Sequence, residues 1–336
     1  MKIYEGVDIL NFVSVCGYGW TGSSAYVSIL KEFTRCDSIG KEFRLIKDPF
    51  GLIDLQNSLM HNWEFIRHDV SISDFLWFCK ILSRKGSLVS GPASNYNELL
   101  SSDFYKISCD YIESITDLTY VGDSSVHRYR SSNTGLFFNK LKSKFGIYNN
   151  TGIMRISKPT NDKFIYETKL YIENIFNNFC KKNEIDTVVL DQAIPVLNIN
   201  NAMKLFDSMK VIIVDRDPRD IYVNLIKRRK LIGYELSNNT SVNKYIKWHK
   251  LLRSHQEDIY DKKNILRINF EDIVLDYKPT LKKINLFLGD RYTHDKSMEF
   301  FDPLKAIKSI GLWKKYEDQN SIKEIQEYFP QQCIKY

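Results

Sequence analysis

A short β-branched run, Asn11-Phe12-Val13-Ser14-Val15, leads into Gly17-Tyr18-Gly19-Trp20-Thr21-Gly22-Ser23-Ser24, and helical periodicity follows from Ser23 to Phe33. Glycines let the backbone turn sharply and present its N–H groups to an anion. The helix N-terminus adds unpaired donors and partial positive charge, and Ser23 and Ser24 add hydroxyl donors. Strand, glycine loop and helix in this order predict an open α/β sheet with a nucleotide phosphate at the strand's carboxyl end. The spacing Gly17-x-x-x-x-Gly22 is that of a P-loop, but Ser23 stands where the nucleotide-hydrolysing type places its lysine. The β/γ-phosphates of ATP therefore lose their main point charge. The plain alternative is a tight strand-to-helix turn with no ligand.

Other segments extend the same architecture. Thr187-Val188-Val189-Leu190 and Val211-Ile212-Ile213-Val214 read as strands covered on both faces, with Glu42–Lys47 and Ile265–Asn269 as further candidates. Helices are expected from Asp220 to Lys230, behind Pro218, and from Thr280 to Leu288, stopped by Gly289. The stretch from about 51 to 180 differs: helical patches at Ser73–Leu82 and Tyr166–Phe179 are separated by Ser/Asn-rich turns. It reads as a mainly helical insertion. With no internal repeat or low-complexity linker, residues 1–336 are expected to form a single α/β domain: a P-loop-like three-layer fold with a central parallel sheet.

Composition excludes several classes. The chain is 43% hydrophobic and 26% charged, as an ordinary globular protein is, and 13% aromatic content argues against disorder. A formal net charge of +7 suits an anionic ligand. The basic residues are scattered, however, and the one dense cluster, Lys227-Arg228-Arg229-Lys230, reads as a solvated helix end rather than a nucleic-acid module. The stretch Met1–Asp8 carries acidic residues where a signal peptide needs an apolar core, and no apolar run approaches the ~18–20 residues of a membrane span. A cytoplasmic chain is expected. The six cysteines lie far apart and the histidines do not cluster, so neither a metal site nor a disulfide framework is indicated.

The strand Val211–Val214 ends in Asp215-Arg216-Asp217-Pro218-Arg219-Asp220, which puts an arginine at a strand's carboxyl end. Asn224, eight residues on, projects from the next helix toward the same pocket. A guanidinium and an amide suit a phosphate. Here the sequence resembles the sulfotransferase family, which uses 3′-phosphoadenosine 5′-phosphosulfate (PAPS) as donor. Arg216 and Asn224 match the arginine and serine that hold the 3′-phosphate in that family, with Asn replacing Ser. Thr21-Gly22-Ser23-Ser24 resembles the family's Ser-Gly-Thr-Thr loop, which makes Gly19, Trp20, Thr21, Gly22, Ser23 and Ser24 the implied 5′-phosphosulfate residues. Asn269-Phe270-Glu271-Asp272 resembles its Tyr-Glu-Asp-Leu element. Ile310–Lys315 is similar to the Gly-x-Trp-Lys segment that closes over the nucleotide, which assigns Gly311, Trp313 and Lys314. The matches cover 11–33 and about 188–316. The insertion matches nothing, and in this fold that region usually shapes the acceptor site.

The implied reaction is in-line transfer of a sulfuryl group to an acceptor hydroxyl or amine. It needs a base for the acceptor proton and a cation at the leaving phosphate oxygen, but no metal. The family's lysine or arginine before the loop is replaced by Trp20. Lys47, at the end of the second candidate strand, is the expected substitute; a surface lysine before the Asp48-Pro49 turn is the alternative. The family's histidine base has no counterpart, and Asp191 takes its place, as base or as helix cap or lysine partner. His61, His68 and His127 are further base candidates, while His249 reads as core-facing. Glu42 and Arg44 share a strand face, as an ion pair or a grip on the acceptor. By analogy with the family, the acceptor is a carbohydrate, such as a surface-glycan precursor. Two other readings stand beside this one. One is a P-loop kinase with Asp215 as its magnesium aspartate; the other is a nucleotide-binding protein without turnover, which Trp20 allows.

Overall fold

The computed structural model describes residues 10–87, 93–123, 132–145, 151–237, 242–254 and 261–335. Among them run the strands β1 (Asn11–Gly17), β2 (Cys36–Glu42), β3 (Leu118–Asp123), β4 (Thr151–Ile156), β5 (Thr187–Asp191), β6 (Met209–Asp215) and β7 (Ile265–Asn269). Five form one parallel sheet in the order β2-β5-β1-β6-β7. The register pairs Val15 with Asp191, Gly17 with Val214 and Asp215 with Asn269. The ends of β1, β5, β6 and β7 therefore lie on a single carboxyl edge, where open α/β sheets bind ligands.

Side chains alternate across a strand, so Val13 and Val15 of β1 share a face with Ile212 and Val214 of β6. That face is buried with Tyr26, Ile29 and Leu30 of the helix Ser23–Leu30 and with Ile284 and Leu288 of the helix Tyr277–Leu288. A second cluster joins Val223, Tyr245 and Ile325 from the helices Pro218–Arg228, Val242–Leu251 and Gln319–Tyr328. Burying each such side chain stabilises by about 1.5–3 kcal/mol.

Several boundaries differ from expectation. The helix after the glycine loop stops at Leu30 rather than Phe33, and the helix ending before Gly289 begins at Tyr277. The helix behind Pro218 begins at Pro218 itself, with the Asp217 carboxylate accepting from Arg219 N–H. The second strand lies earlier in the chain than Glu42–Lys47. β2 ends at Glu42, its register shifts between Ser38 and Glu42, and Gly40 takes φ +70°. Phe43, Leu45 and Ile46 are all fully buried, so the apolar run beyond β2 is a buried turn, not an alternating strand. Arg44 pairs with Asp48 at 3.0 Å.

The chain divides into two compact units, one made from the chain up to Phe43 with everything from Cys180, the other Arg44–Phe179. The second unit is mainly helical. Its helices Phe65–Ser83 and Phe104–Ile115, with the long helix Asn161–Asn183, bring Phe75, Tyr111 and Tyr171 together, and the two tyrosine rings stack at 4.5 Å. It also holds the antiparallel pair β3–β4, which the pattern did not reveal. A helix, Asn133–Lys144, lies between these strands in sequence, so no hairpin turn announces them, and Val121 and Ile153 point their apolar groups outward. Among the described residues no helix is long and apolar enough to cross a membrane.

Candidate functional site

The glycine loop holds three left-handed residues: Gly19 (φ +87°), Trp20 (φ +60°) and Gly22 (φ +89°). Gly22 caps the following helix without a side chain, and no acidic residue stands in the first turn, which leaves that turn's N–H groups facing the loop. A Cβ on Gly22 would lie 2.5 Å from the Phe270 ring, and one on Gly17 would lie 2.1 Å from Thr21 Oγ1 and 2.8 Å from Val214 O. Thr21 is 1% exposed, and its hydroxyl has no hydrogen-bond partner within the protein. A buried hydroxyl without a partner, inside a loop of left-handed glycines, fits an anionic oxygen of the phosphosulfate type.

Ser23 accepts from Gln192 Nε2 at 2.9 Å and donates to Asp191 Oδ1 at 3.5 Å, which ties the loop to the end of β5. Ser24 is exposed. Arg216 is buried, donates to the loop carbonyl of Trp20 at 3.3 Å and to the carbonyl of Ser309, and lies 4.7 Å over the Phe270 ring. One guanidinium thus touches the loop, the C-terminal segment and the end of β7. Asp220, on the helix Pro218–Arg228, accepts from the backbone N–H of Gly311 (2.8 Å) and Trp313 (3.3 Å). Gly311 takes φ +69°. The Trp313 ring lies under Arg219 at 3.8 Å, with Lys314 Nζ 5.7 Å away.

Trp20, like Leu312, Trp313 and Tyr316, packs against the buried cluster of Val223, Tyr245 and Ile325, which explains a large apolar residue at this loop position. The Arg228 guanidinium stands over the Trp20 ring at 5.6 Å. Burial pushes Glu271 up to about 7, against the pull of the Asp217 N–H it accepts and the charge of Arg216. Burial likewise raises Asp220, opposed by the Gly311 N–H.

The fold therefore brings the loop residues, Asp191, Arg216 and Gly311–Lys314 to neighbouring positions. Asn224 is half-buried on the helix Pro218–Arg228, which begins two residues after Arg216. Lys47 does not end a strand; it falls in a turn of the second unit. Asp215 is held by Arg267, through Nε to one carboxylate oxygen and Nη2 at 3.0 Å to the other, which commits the kinase reading's magnesium aspartate to an ion pair. His61 is exposed at the end of a π-helical turn. His68 is fully buried, with its ring nitrogens on the carbonyls of Glu64 (2.9 Å) and Arg155 (3.0 Å) and its face on Trp63, so it serves packing. His127 lies outside the described residues. His249 faces the core, as expected.

Sequence reasoning missed Asp220, Glu271 and Arg228. The charge run that contains Arg228 read as solvated, which its exposure bears out, but nothing local signals a distant tryptophan face beside it.

The sequence profile of the sulfotransferase family matches residues 113–294. No curated protein matches the chain. Among solved structures, similar ones include the sulfotransferase STF9 from Mycobacterium avium, at 11% identity and a TM-score of 0.38 over 97% of this chain and 76% of that one. The sulfotransferase domain of the Synechococcus PCC 7002 olefin synthase shows 14% identity and a TM-score of 0.34 over 96% and 94%. Retinol dehydratase in complex with androsterone and the inactive cofactor PAP shows 12% identity and a TM-score of 0.33 over 97% and 82%.

Proposed function

The chain belongs to the sulfotransferase family, and from that premise we propose that it moves a sulfuryl group from PAPS to a hydroxyl or amine of an acceptor, a carbohydrate in our reading. The observation that carries the nucleotide half is the bond from Arg216 to the Trp20 carbonyl, which puts the two phosphate anchors side by side although they lie far apart in sequence. PAPS supplies an activated sulfuryl group on its 5′-phosphate. The N–H groups of Gly19–Ser24 and the Thr21 hydroxyl hold its 5′ end, and Arg216 with Asn224 holds the 3′-phosphate. Gly311, Trp313 and Lys314 cover the base. Asp191, beside Ser23, accepts the acceptor's proton. For the cation at the leaving oxygen, Arg228 over the Trp20 ring is better supported than Lys47.

Ligand choice tests the reading. Adenosine 3′,5′-bisphosphate should raise the melting temperature without magnesium, and by more than AMP or ATP-magnesium at equal concentration, because a ligand of the native state stabilises by mass action. Equal or larger stabilisation by ATP-magnesium would overturn it in favour of a kinase.

A further inference from the structure

The helix Asn133–Lys144 belongs to the second unit, and its described side chains are all exposed. They include Phe137 (62%), Phe138 (61%) and Leu141. The turn beyond the helix, closed by Phe145 N–H donating to Lys142 O at 3.0 Å, adds Phe145 at 77%. Three phenylalanines left in water on one short element mark a surface that meets something else. The strands β3 and β4, which stand on either side of this helix in the chain, add a further exposed apolar pair, Val121 opposite Ile153.

Helical spacing sorts these residues by face. At about 100° per residue, Phe137, Leu141, Phe145 and Phe138 fall within one arc of about 100°. Lys144 and Lys140 follow on one side of that arc and Lys142 on the other. The helix holds no acidic residue, so its charge is all positive. A lysine lays its four-carbon stem along an apolar surface and keeps its ammonium in water. Ammonium groups on both shoulders of an apolar arc therefore stand level with lipid phosphates when the arc enters the acyl region. A second copy of the chain fits this face less well. Lysine is depleted from protein interfaces, and a two-fold pairing of this helix would bring like charges together.

We propose that this helix lies flat in the surface of a membrane rich in anionic lipid, with Phe137, Phe138, Leu141 and Phe145 among the upper acyl chains and Lys140, Lys142 and Lys144 at the headgroup phosphates. A basic amphipathic helix with an aromatic face is the form such contacts take. No helix among the described residues is long and apolar enough to cross a membrane, so the chain lies on the surface through this helix and does not span with one. The attraction has an apolar part and a charged part, and each can be removed by itself. Binding is reversible, because one short helix buries little area and salt screens its charge. The surface is independent of what the glycine loop binds.

Vesicle co-sedimentation of the full chain tests this, with phosphatidylcholine alone and with an equal mixture of phosphatidylcholine and phosphatidylserine. Wild type should pellet with the mixture at low salt, far less with phosphatidylcholine alone, and should be released by high salt. Phe137→Ala combined with Phe145→Ala should weaken binding to the mixture roughly 100-fold. Lys140→Gln, Lys142→Gln and Lys144→Gln together should weaken it about 100-fold as well, and should remove the preference for phosphatidylserine. Alanine and glutamine are good helix formers and all five positions are exposed, so both variants should melt as wild type does. The proposal falls if wild type stays in the supernatant with the mixture at low salt, or if either variant binds as wild type does. Concentration-dependent dimerisation of wild type in sedimentation equilibrium, lost in the phenylalanine variant and unaccompanied by vesicle binding, overturns it in favour of a second copy.

Discussion

Glu271 is 1% exposed and accepts the Asp217 N–H, and burial pushes it up to about 7. A carboxyl whose folded pKa is raised holds its proton more tightly in the native state, so its contribution is full below the unfolded value and is lost as pH rises toward 7. The loss is on the order of 3 kcal/mol. His249, pushed down to about 3, acts in the opposite sense: its stability is present above its ordinary value and lost as pH falls. Glu271→Gln keeps an acceptor for Asp217 N–H and removes only the first effect. Relative to wild type, the variant should therefore gain stability between about pH 5 and 7.5 in urea titrations. A constant difference would mean that Glu271 is ionised throughout. Asp191 poses a kinetic question instead. Asp191→Asn should reduce turnover about 10²–10⁴-fold, the usual worth of a general base, with nucleotide affinity unchanged. In the same assay Arg228→Met should lower kcat more than Lys47→Met. A joint fall of affinity and melting temperature in Asp191→Asn would show instead that Asp191 holds Ser23 in place. Asp191 and Arg216 were legible because strand ends are legible; Arg228 was not, because its partner ring lies far away in sequence.

The glycine loop owes its shape to two demands at Gly22: a left-handed φ of +89° and a Phe270 ring where a Cβ would stand. Gly40 shares the first demand, at φ +70°, but has nothing within 4 Å. Gly22→Ala should cost roughly 2–5 kcal/mol, from left-handed strain plus overpacking, while Gly40→Ala pays only about 1–2 kcal/mol for the strain. Equal losses in the two variants would show that the Phe270 contact does not matter. Because Phe270 also lies under Arg216, the first variant should weaken nucleotide binding as well. The glycines announced the loop in the sequence, whereas Phe270, from the end of β7, did not. The run beyond Glu42 reads as strand for a related reason: apolar residues in a buried turn and in a strand look alike when period is the only guide.

At the scale of the molecule, the C-terminal segment fastens onto the arginine element. Asp217 and Arg219 form a buried ion pair at 2.6 Å, Ile334 N donates to Asp217 at 3.0 Å, and Arg219 donates to Ile334 O at 2.9 Å. Gln332 meets His249 at 2.8 Å. Stopping the chain after Pro330 should cost about 3–5 kcal/mol, because buried charged groups lose their partners. An unchanged melting temperature would show that the segment is ornamental. The local pattern by itself determined four of the five parallel strands, the glycine loop, the helix behind Pro218 and the arginine at a strand's end, because periodicity, φ preference and capping are properties of neighbouring residues. Only the tertiary structure decided that Arg216 bonds to the loop carbonyl of Trp20, that Asp220 holds Gly311, and that Arg253 lies over the ring of Tyr18. Those contacts depend on which strands lie side by side and which helices pack across them, and that order is set by burial summed over the whole chain rather than by any segment of it.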